Sequence, residues 1–493
     1  MEAGHAPTGD EYSTSSMRCS ITQLRAGGCA LPATNTQGKP RYRLTISTSL
    51  GPALHVPLVN LTKGFPMSQV PLPFAAFIGI DWADKKHDVC LHVPGQKKRE
   101  HSVLQHRPAA IREWAQKLRE RFGGAPIAVA LELAQGPVVS ALLEHDIFVL
   151  FPVQPTLLAK YREAFTPSRA KDDPTDAEFA VDLLLRYPER LPRLQPESPD
   201  MRRLRRMVEL RRALVDDRVA ITNRITSALK GYFPQILGWF RDKDTPVFAA
   251  FLERWPTLDA AKRARQETLV TFFRSHNVRS QSTIARRLDA IQSEEPLTTD
   301  SAVIGPLLLL VETTIPQLRA VNAAIERFDT EIASLCPKLP DYSLFDSLPG
   351  AGPALAPRLL VAFGERRERF PDAASLQKYV GVAPVTERSG NKSWVHWRFA
   401  CPTFQRQTFI EWVGQTVPRS FWAKAFYQSY RERGGSHQAA LRALAFKWIR
   451  VLHRCWLDRK PYDEARYLMA LQKRHAPLLA FAAKASHTNV TFS

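Results

Sequence analysis

Paired cysteines, long apolar runs and a secretory start are all missing from this chain. Its six cysteines are scattered through 493 residues with no Cys-x-x-Cys pair, which excludes an obvious zinc module and offers no disulfide framework. No apolar run is long enough to span a bilayer, and the amino terminus lacks the charged-then-apolar pattern of a signal peptide. These absences predict a protein of the reducing cytoplasm that has no membrane partner.

Positive charge is what the chain has in excess. Lysine and arginine number 68 against 48 acidic residues, which gives a formal net charge of +20. Such a charge predicts a polyanionic partner, and nucleic acid comes first because phosphate contacts supply most non-specific affinity. An anionic membrane is the weaker rival, since no basic amphipathic terminus stands out. The length predicts two or three domains with ample cores.

The amino-terminal part predicts an α/β fold. Residues 1–73 are rich in Ser, Thr, Gly and Pro and are predicted to be a disordered or mis-started extension, with Met67 as an alternative start. From 74 to 190, strand and helix patterns alternate, which predicts a mixed sheet with helices on its faces. The predicted strands are 75–80, 89–93, 101–104, 126–133 and 147–153, and the predicted helices are 108–122, 136–145 and 173–185.

The remaining chain predicts mostly helix. Residues 200–338 form a linker in which apolar residues at near-heptad spacing mark helices at 201–232 and 317–335. This pattern predicts an antiparallel coiled-coil arm or half of a dimer bundle or, with equal weight, an ordinary helix pair within one domain. Residues 233–300 read as a helical insertion of unclear purpose. Residues 340–474 predict a helical carboxy-terminal domain with a Pro-Gly-Ala-Gly turn near its start, followed by a tail at 475–493.

Four carboxylates form the first candidate site. Asp81 and Glu132 lie at the ends of two predicted strands, and Asp173 and Asp176 lie three residues apart on one helix face. Converging carboxylates repel one another unless cations neutralise them, so the cluster predicts Mg²⁺. Two such ions can hold both the attacking and the leaving oxygen of a phosphodiester exchange.

A structural interpretation of the same carboxylates stays open. Asp84 and Asp88 fit a turn that follows the first strand. Asp173 fits a helix N-cap, and Asp176 fits a partner of the helix dipole. Residue by residue this interpretation is the simpler one, whereas the basic charge favours the metal site.

Two further motifs suggest phosphate binding. Ser389 precedes Gly390 in a polar loop flanked by Arg388 and Lys392, with Arg398 beyond, so it is a candidate nucleophile. The alternative is an ordinary surface turn. Gly350 and Gly352 at a helix start fit a phosphate cradle, although a tight helix–helix connection is the commoner cause of such a sequence.

The order and spacing of these motifs resemble insertion-sequence transposases of the IS-one-ten type. The likeness covers roughly 74–190 and 340–470, and each motif is weak alone while the ordered set is specific. It rests on Gly79-Ile80-Asp81, Leu131-Glu132, Lys171-x-Asp173-x-x-Asp176-Ala177, residues 348–352, residues 379–384, Ser389-Gly390, and the run from Phe426-Tyr427 to Tyr462-Asp463.

The resemblance implies a RuvC-like (RNase H-type) domain, a coiled-coil linker and a small helical domain with a helix-hairpin-helix-like start. It implies a transposase that excises and inserts its element by strand exchange. Asp81, Glu132, Asp173 and Asp176 would bind Mg²⁺ or Mn²⁺, and Ser389 would attack a phosphodiester and hold a phosphoserine intermediate. Nucleic-acid contacts would come from Gly350, Gly352, Arg388, Lys392 and Arg398.

The implied partners are DNA, at the element ends and the target, a structured bridge RNA, and further copies of the chain in a dimer or tetramer. Nucleoid DNA in the bacterial cytoplasm is the implied location. The chain departs from the pattern at Asp172, where a small or hydroxyl residue is usual, and Ser393 lies near enough to rival Ser389. The segment before 74 and residues 233–300 have no counterpart in it.

Two other functions stay open. A metal-dependent, junction-resolving nuclease would use the carboxylates with water and form no covalent intermediate. A catalytically decayed nucleic-acid-binding protein would need neither the carboxylates nor the serine.

Overall fold

A five-stranded mixed sheet organises the amino-terminal part. The computed structural model describes residues 74–132, 134–165, 173–475 and 477–478, with the backbone alone at Asp173. The strands pair in the order β3-β2-β1-β4-β5; β2 and β3 run antiparallel to their neighbours, and β4 and β5 run parallel to β1. They are β1 (Ala76–Asp81), β2 (Lys86–His92), β3 (Glu100–Gln105), β4 (Ile127–Leu131) and β5 (Phe148–Pro152).

Helices cover both faces of this sheet. α1 and α2 cover the face that carries Ile78 and Val129, and α4 covers the face that carries Gly79 and Cys90. The mixed sheet with helices on its faces is thereby confirmed. The helices are α1 (Pro108–Arg121), α2 (Pro137–Leu142), α3 (Pro155–Phe165) and α4 (Asp173–Arg186).

Two local predictions in this part were wrong. The sequence did not indicate α3, whose first residue, Pro155, was taken as the end of the preceding strand. β2 begins at Lys86, three residues before its predicted start, so residues 86–88 belong to the strand. The reason is physical: the ladder to β3 continues to Lys86 and Gln105, and this pairing satisfies backbone groups that a turn would leave to water.

The linker contains two long helices that pack against each other. α5 (Pro199–Tyr232) and α11 (Ser301–Leu335) run antiparallel, because Arg203 near the start of α5 pairs with Glu331 near the end of α11 at 2.9 Å. At the other end, Gly231 packs against Leu307. The helix pair is therefore real, whereas heptad coiled-coil packing stays a prediction.

Residues 233–300, which were predicted to be an insertion, form a helical cap on one end of the α5–α11 pair. Its helices pack around an aromatic core that includes Phe248, Phe251 and Phe273 and that also takes in residues of α5 and α11. It thus stabilises the far end of the pair. The helices are α6 (Ile236–Trp239), α7 (Pro246–Arg254), α8 (Leu258–Lys262), α9 (Gln266–Ser275) and α10 (Gln281–Ser293).

Helix α11 corrects two expectations. It starts at Ser301 rather than 317 and runs through Pro306 and Pro316, which had made the first half look like a loop. Its apolar stretch reaches a mean hydropathy of 1.4 over a membrane-length window, so the expectation of no such run was wrong. The helix nevertheless packs along α5 and the cap, and composition alone is weak evidence for a membrane span.

The carboxy-terminal part is a helical assembly around buried tryptophans. Trp412, Trp422, Trp448 and Trp456 are all fully buried in one core. The predicted polar loop at 381–392 is instead largely a β-hairpin. The elements are α12 (Tyr342–Asp346), α13 (Gly352–Phe363), α14 (Ala373–Tyr379), β6 (Val385–Ser389), β7 (Lys392–His396), α15 (Thr403–Thr416), α16 (Phe421–Glu432), α17 (His437–Asp458) and α18 (Glu464–Lys473).

Some expectations fall on residues outside the described part. These are the extension at 1–73, the alternative start at Met67, Asp172, the side chain of Asp173, and most of the tail at 475–493.

Candidate active site

The carboxyl ends of β1 and β4 bring Asp81 and Glu132 to one edge of the sheet. The two strands are parallel neighbours, with Ile80 opposite Leu131. Asp81 ends β1, and Glu132 follows Leu131 directly. Since side chains alternate between faces, both carboxylates lie on the face that α4 covers. We call this place the carboxyl edge.

Gly79 lets α4 approach the carboxyl edge. A Cβ atom at Gly79 would lie 1.9 Å from the carbonyl oxygen of Ala177, so any larger residue would push α4 away. Ala177 lies in the first turns of α4, one residue after Asp176. This contact places the start of α4, which contains Asp173 and Asp176, over the strand that carries Asp81.

Asp176 is bound by an arginine in this structure. Both of its carboxylate oxygens accept hydrogen bonds from Nη1 of Arg162 on α3, at 2.7 and 2.5 Å. Asp176 is buried, with an exposed fraction of 2%, so the guanidinium supplies the counter-charge that burial requires. Among the described residues, no three acidic, histidine or cysteine side chains are close enough to hold a metal ion together.

Asp88 is a carboxylate that the sequence interpretation misplaced. It is a buried strand residue rather than a turn former, and it lies directly opposite Asp81 in the β1–β2 pair. Opposed residues of two paired strands point to the same face, so Asp88 faces α4 as well. It also lines a cleft of about 180 Å³ that reaches Pro174 at the start of α4. The extension of strand alternation back to residue 86 was the signal that could have identified it.

These donors suit a hard cation. Asp81, Asp88 and Glu132 offer carboxylate oxygens on one face of one edge, which are the ligands that Mg²⁺ and Mn²⁺ prefer. Like charges opposed across a strand pair destabilise it unless positive charge is near. The donor types present therefore suit a divalent metal, although the described side chains are not gathered closely enough here to hold one, and Asp176 is paired with Arg162.

A histidine pair shapes the turn that follows Asp81. The backbone N–H of Ala83 donates to Nδ1 of His87 at 3.4 Å, so Nε2 carries the proton and donates to Nδ1 of His106 at 3.0 Å. His87 is fully buried. Burial, followed by the nearby His106, lowers the pKa of His87. The neutral imidazole thus ties the turn to β2.

Ser389 lies at the end of a protruding hairpin, which we call the Ser389 hairpin (Val385–His396). Gly390 and Asn391 form its two-residue turn, and Gly390 has a φ of 54°. A glycine at the first central position with positive φ is the requirement of a type II′ turn, which matches strand twist. Ser389 is exposed at the last strand position before this turn.

The hairpin register separates Ser389 from Ser393. Ser389 pairs with Lys392, whereas Ser393 pairs with Arg388. Paired residues share a face, so Ser389 and Lys392 lie on one face and Ser393 and Arg388 on the other. Trp394 and Glu387 form the next pair on the Ser389 face. Lys392 therefore places a basic side chain on the same face of the hairpin as Ser389.

A histidine–glutamate pair lies further along the Ser389 face of the hairpin. Nε2 of His396 lies 2.7 Å from Oε1 of Glu387. The hydrogen bond that Glu387 accepts from His396 raises the pKa of His396 and lowers the pKa of Glu387. The pair ties the two strands together near the hairpin base.

The other predicted contact residues have more structural surroundings. Nε of Arg398 donates to the carbonyl oxygen of Ala383 at 3.2 Å and so fixes the hairpin base. A Cβ at Gly350 would lie 2.7 Å from Cβ of Gln415, so this glycine permits close packing on α15. Gly352 is exposed at the start of α13 with open space around it. Among these, Gly352 and the exposed Arg388 remain accessible.

The serine and the carboxyl edge are separate in the single chain. Within the described residues, the two strands of the Ser389 hairpin pack extensively only with each other, and α4 packs on β1, β2 and β4. The sheet places Asp81, Asp88 and Glu132 at one edge, whereas Ser389 does not lie at that edge.

A mixed sheet with an acidic edge, followed by a helical part with an exposed serine, is consistent with an RNase H-like domain of a transposase. Comparisons with known proteins agree. Residues 78–234 match the DEDD transposase model for IS110, and residues 342–428 match the transposase model of the IS116/IS110/IS902 family. The chain belongs to this IS110-type family of transposases.

Individual relatives support the assignment. The chain is 30% identical to the mini-circle putative transposase for IS117 of Streptomyces coelicolor, over 83% of this chain and 98% of the relative. It is 26% identical to the insertion element IS110 uncharacterized 43.6 kDa protein of the same organism, over 78% of this chain and 95% of that protein. It is 31% identical to the putative transposase y4uE of Sinorhizobium fredii, over 41% and 57% of the two chains.

Proposed function

We propose that this transposase excises and inserts its element by strand exchange through a serine nucleophile. Ser389 Oγ attacks a phosphodiester phosphorus, an Oγ–P bond forms, and the bond from phosphorus to the leaving deoxyribose oxygen breaks. The hydroxyl of the strand to be joined then attacks the phosphoserine and releases Oγ. One phosphorus–oxygen bond replaces another at each step, so no external energy source is needed.

The position of Ser389 is the observation that carries this proposal. The hydroxyl is exposed beside a tight turn of the hairpin, with Lys392 on the same face. The ammonium of Lys392 neutralises charge that develops on the phosphoryl oxygens, and this stabilises the transition state more than the ground state. The proton of Oγ leaves to solvent or to a phosphate oxygen, since the hairpin is open.

The carboxyl edge supplies the second half of the proposed site. Asp81, Glu132, Asp173 and Asp176 would hold Mg²⁺ or Mn²⁺, which would supply Lewis-acid stabilisation of the transferring phosphoryl group. We propose that hairpin and carboxyl edge meet on bound DNA, either within one chain or between protomers of a dimer or tetramer. Exposed apolar residues on the long helices, Val219, Val303, Leu309 and Leu310, are consistent with such an assembly.

The wider organisation is proposed as well. Residues 74–190 would be the RuvC-like domain, 200–338 the linker and 340–474 the transposase domain. A bridge RNA, consistent with the net charge of +20, would pair with element and target DNA in the bacterial cytoplasm.

A covalent-adduct assay tests the chemistry. Purified protein is mixed with Mg²⁺, flanking RNA and end-labelled DNA that spans an element end, and adducts that survive boiling in detergent are counted. We expect Ser389→Ala and Asp81→Asn to abolish the adduct, while Ser393→Ala, on the opposite face of the hairpin, retains it. Cleavage without adduct in the wild type, unchanged by Ser389→Ala, would instead favour a metal-dependent nuclease.

A further inference from the structure

A cleft at the base of the Ser389 hairpin carries unpaired positive charge. It has a volume of about 370 Å³ and lies between Trp397, which follows β7, and the helices α15 and α17. Arg442 lies 4.5 Å from the centre of the Trp397 ring, and Arg406 lies 5.4 Å from it. Neither arginine pairs with a carboxylate within the part of the chain that the structure describes. Both guanidinium groups are therefore available to an anion.

The acidic residue of the cleft is already neutralised. Glu411 lines the same cleft, and its two oxygens bind Arg358 at 2.6 Å and Arg212 at 3.3 Å. Arg358 is almost fully buried, so that pair is fixed. The local charge of the cleft is therefore set by Arg406 and Arg442, and it favours a phosphate.

Exposed aromatic side chains connect the cleft to Ser389. Trp394 has an exposed fraction of 45% and lies on the Ser389 face of the hairpin, two strand pairs below Ser389 and Lys392. Phe399, just beyond Trp397, has an exposed fraction of 77%. Exposed aromatics interleaved with basic groups are the usual platform for an unpaired nucleic-acid strand, because bases stack on the rings while phosphates pair with the cations.

We infer that a DNA strand runs from Ser389 over Trp394 into the Arg406–Arg442 cleft. The spacing can be estimated from the strand. Trp397 is five residue steps from Lys392, and at about 3.4 Å per step these span roughly 17 Å. Phosphates of one strand in B-form DNA are about 3.4 Å apart along the axis. The cleft then holds a phosphate about five positions from the one beside Lys392, or fewer if the strand is stretched.

DNA, rather than the guide RNA, is the expected occupant because the track begins at the proposed nucleophile. In this respect the inference rests on the proposed function. Its test uses equilibrium binding without chemistry, so that binding can succeed where catalysis fails.

The experiment combines variants with a scan of neutral methylphosphonates through one DNA strand at an element end, with the full-length protein. In the wild type, each contacted phosphate shows as a position where substitution weakens binding. We expect Lys392→Gln to remove the effect at one position, and Arg406→Gln/Arg442→Gln to remove it at a second, about five phosphates away on the same strand. We also expect Trp394→Ala to weaken binding roughly ten-fold through lost stacking.

Salt dependence gives an independent result. Loss of both arginines should reduce the slope of log affinity against log salt by about 1.4 to 1.8, since each phosphate contact contributes about 0.7 to 0.9. Arg406→Lys/Arg442→Lys keeps the charge and should keep the slope. Arg454→Gln is the control, because Arg454 is exposed on α17 and pairs with Asp458.

Three results would overturn the inference. One is that Arg406→Gln/Arg442→Gln and Arg454→Gln show the same slope of log affinity against log salt. Another is a second position on the opposite strand or far outside the predicted spacing. The third is a weakening of binding by methylphosphonate substitution that occurs with RNA of the same sequence but not with DNA. If no detergent-stable adduct forms while the two-position pattern persists, the proposed chemistry fails and the DNA track stands.

Discussion

At the scale of single residues, the carboxyl edge depends on charges whose partners the sequence does not reveal. Asp81 and Glu132 lie where strand ends predicted them. Asp88, the residue opposite Asp81, and Arg162, the partner of Asp176, were both missed. Strand alternation back to residue 86 could have identified Asp88 as a strand residue, whereas the pairing of Arg162 with Asp176 depends on a contact between two helices that local sequence does not reveal.

Asp88 should tune metal binding at the carboxyl edge. Asp88→Asn removes one of two opposed carboxylates, so we expect the Mg²⁺ concentration for half-maximal adduct formation to rise by about ten-fold or more. Titration of Mg²⁺ in the adduct assay measures this. Asp84→Asn, at an exposed turn position, should leave the titration unchanged. An unaltered Mg²⁺ dependence in Asp88→Asn would exclude the role.

Arg162 should act as a counter-ion in the absence of metal. Arg162→Gln leaves the buried Asp176 unpaired, which should reduce the free energy of unfolding by about 3–5 kcal/mol in metal-free buffer. Mg²⁺ should then raise the melting temperature of this variant more than that of the wild type. Adding Asp176→Asn should restore stability and abolish the extra response. An equal Mg²⁺ effect in wild type and Arg162→Gln would contradict Asp176 as a ligand.

His87 should make the fold sensitive to mild acid. The pKa of His87 is lowered by burial, so the unfolded chain binds a proton at a higher pH than the folded one. Stability from this residue is complete above about pH 6.5 and is lost as pH falls from there through the lowered folded pKa. Protonation at Nδ1 would also break the bond from Ala83.

The melting temperature against pH measures this effect. His87→Asn keeps an acceptor for the Ala83 N–H but does not titrate, so the melting temperature of the wild type relative to that of the variant should fall as pH falls below 6.5. Parallel curves for the two proteins would show that His87 does not contribute.

At the scale of elements, the contact between α4 and β1 fixes the site. Gly79→Ala places a methyl group against the backbone carbonyl of Ala177, which cannot rotate away as a side chain can. We expect a loss of more than about 3 kcal/mol in the free energy of unfolding, together with loss of the adduct. Chemical denaturation measures the first effect.

A matched glycine serves as the control for that variant. Gly414 lies inside α15 with open space where a Cβ would be. Gly414→Ala should stabilise the protein by up to about 1 kcal/mol, because alanine is the better helix former. Similar effects of the two substitutions would mean that α4 does not pack on Gly79 in solution.

At the scale of the whole molecule, the sequence predicted the parts with strong patterns. Most of the alternating strands and helices at 74–190, the helix α5 and the second half of α11 are where periodicity placed them. The first half of α11 was missed because prolines normally end helices, yet Pro306 and Pro316 lie inside it. The Ser389 hairpin was missed because its strands are exposed on both faces and give no alternation of apolar and polar residues to detect.

Function followed from the ordered motifs more than from geometry. Carboxylates at two strand ends and a Ser-Gly pair far along the chain carried the family resemblance, and the family comparisons confirmed it. The relation between the two halves of the proposed site could not be predicted, because it depends on bound nucleic acid and on further protomers.

The central claim is that Ser389 becomes covalently joined to DNA, and mass spectrometry of the adduct tests it most directly. Trypsin cuts after Arg388 and Lys392, so Ser389 and Ser393 fall in different peptides. After nuclease digestion of the adduct, we expect the residual nucleotide mass on the peptide of residues 389–392. Nucleotide mass on the peptide of residues 393–398, or no modified peptide despite cleaved DNA, would contradict the account.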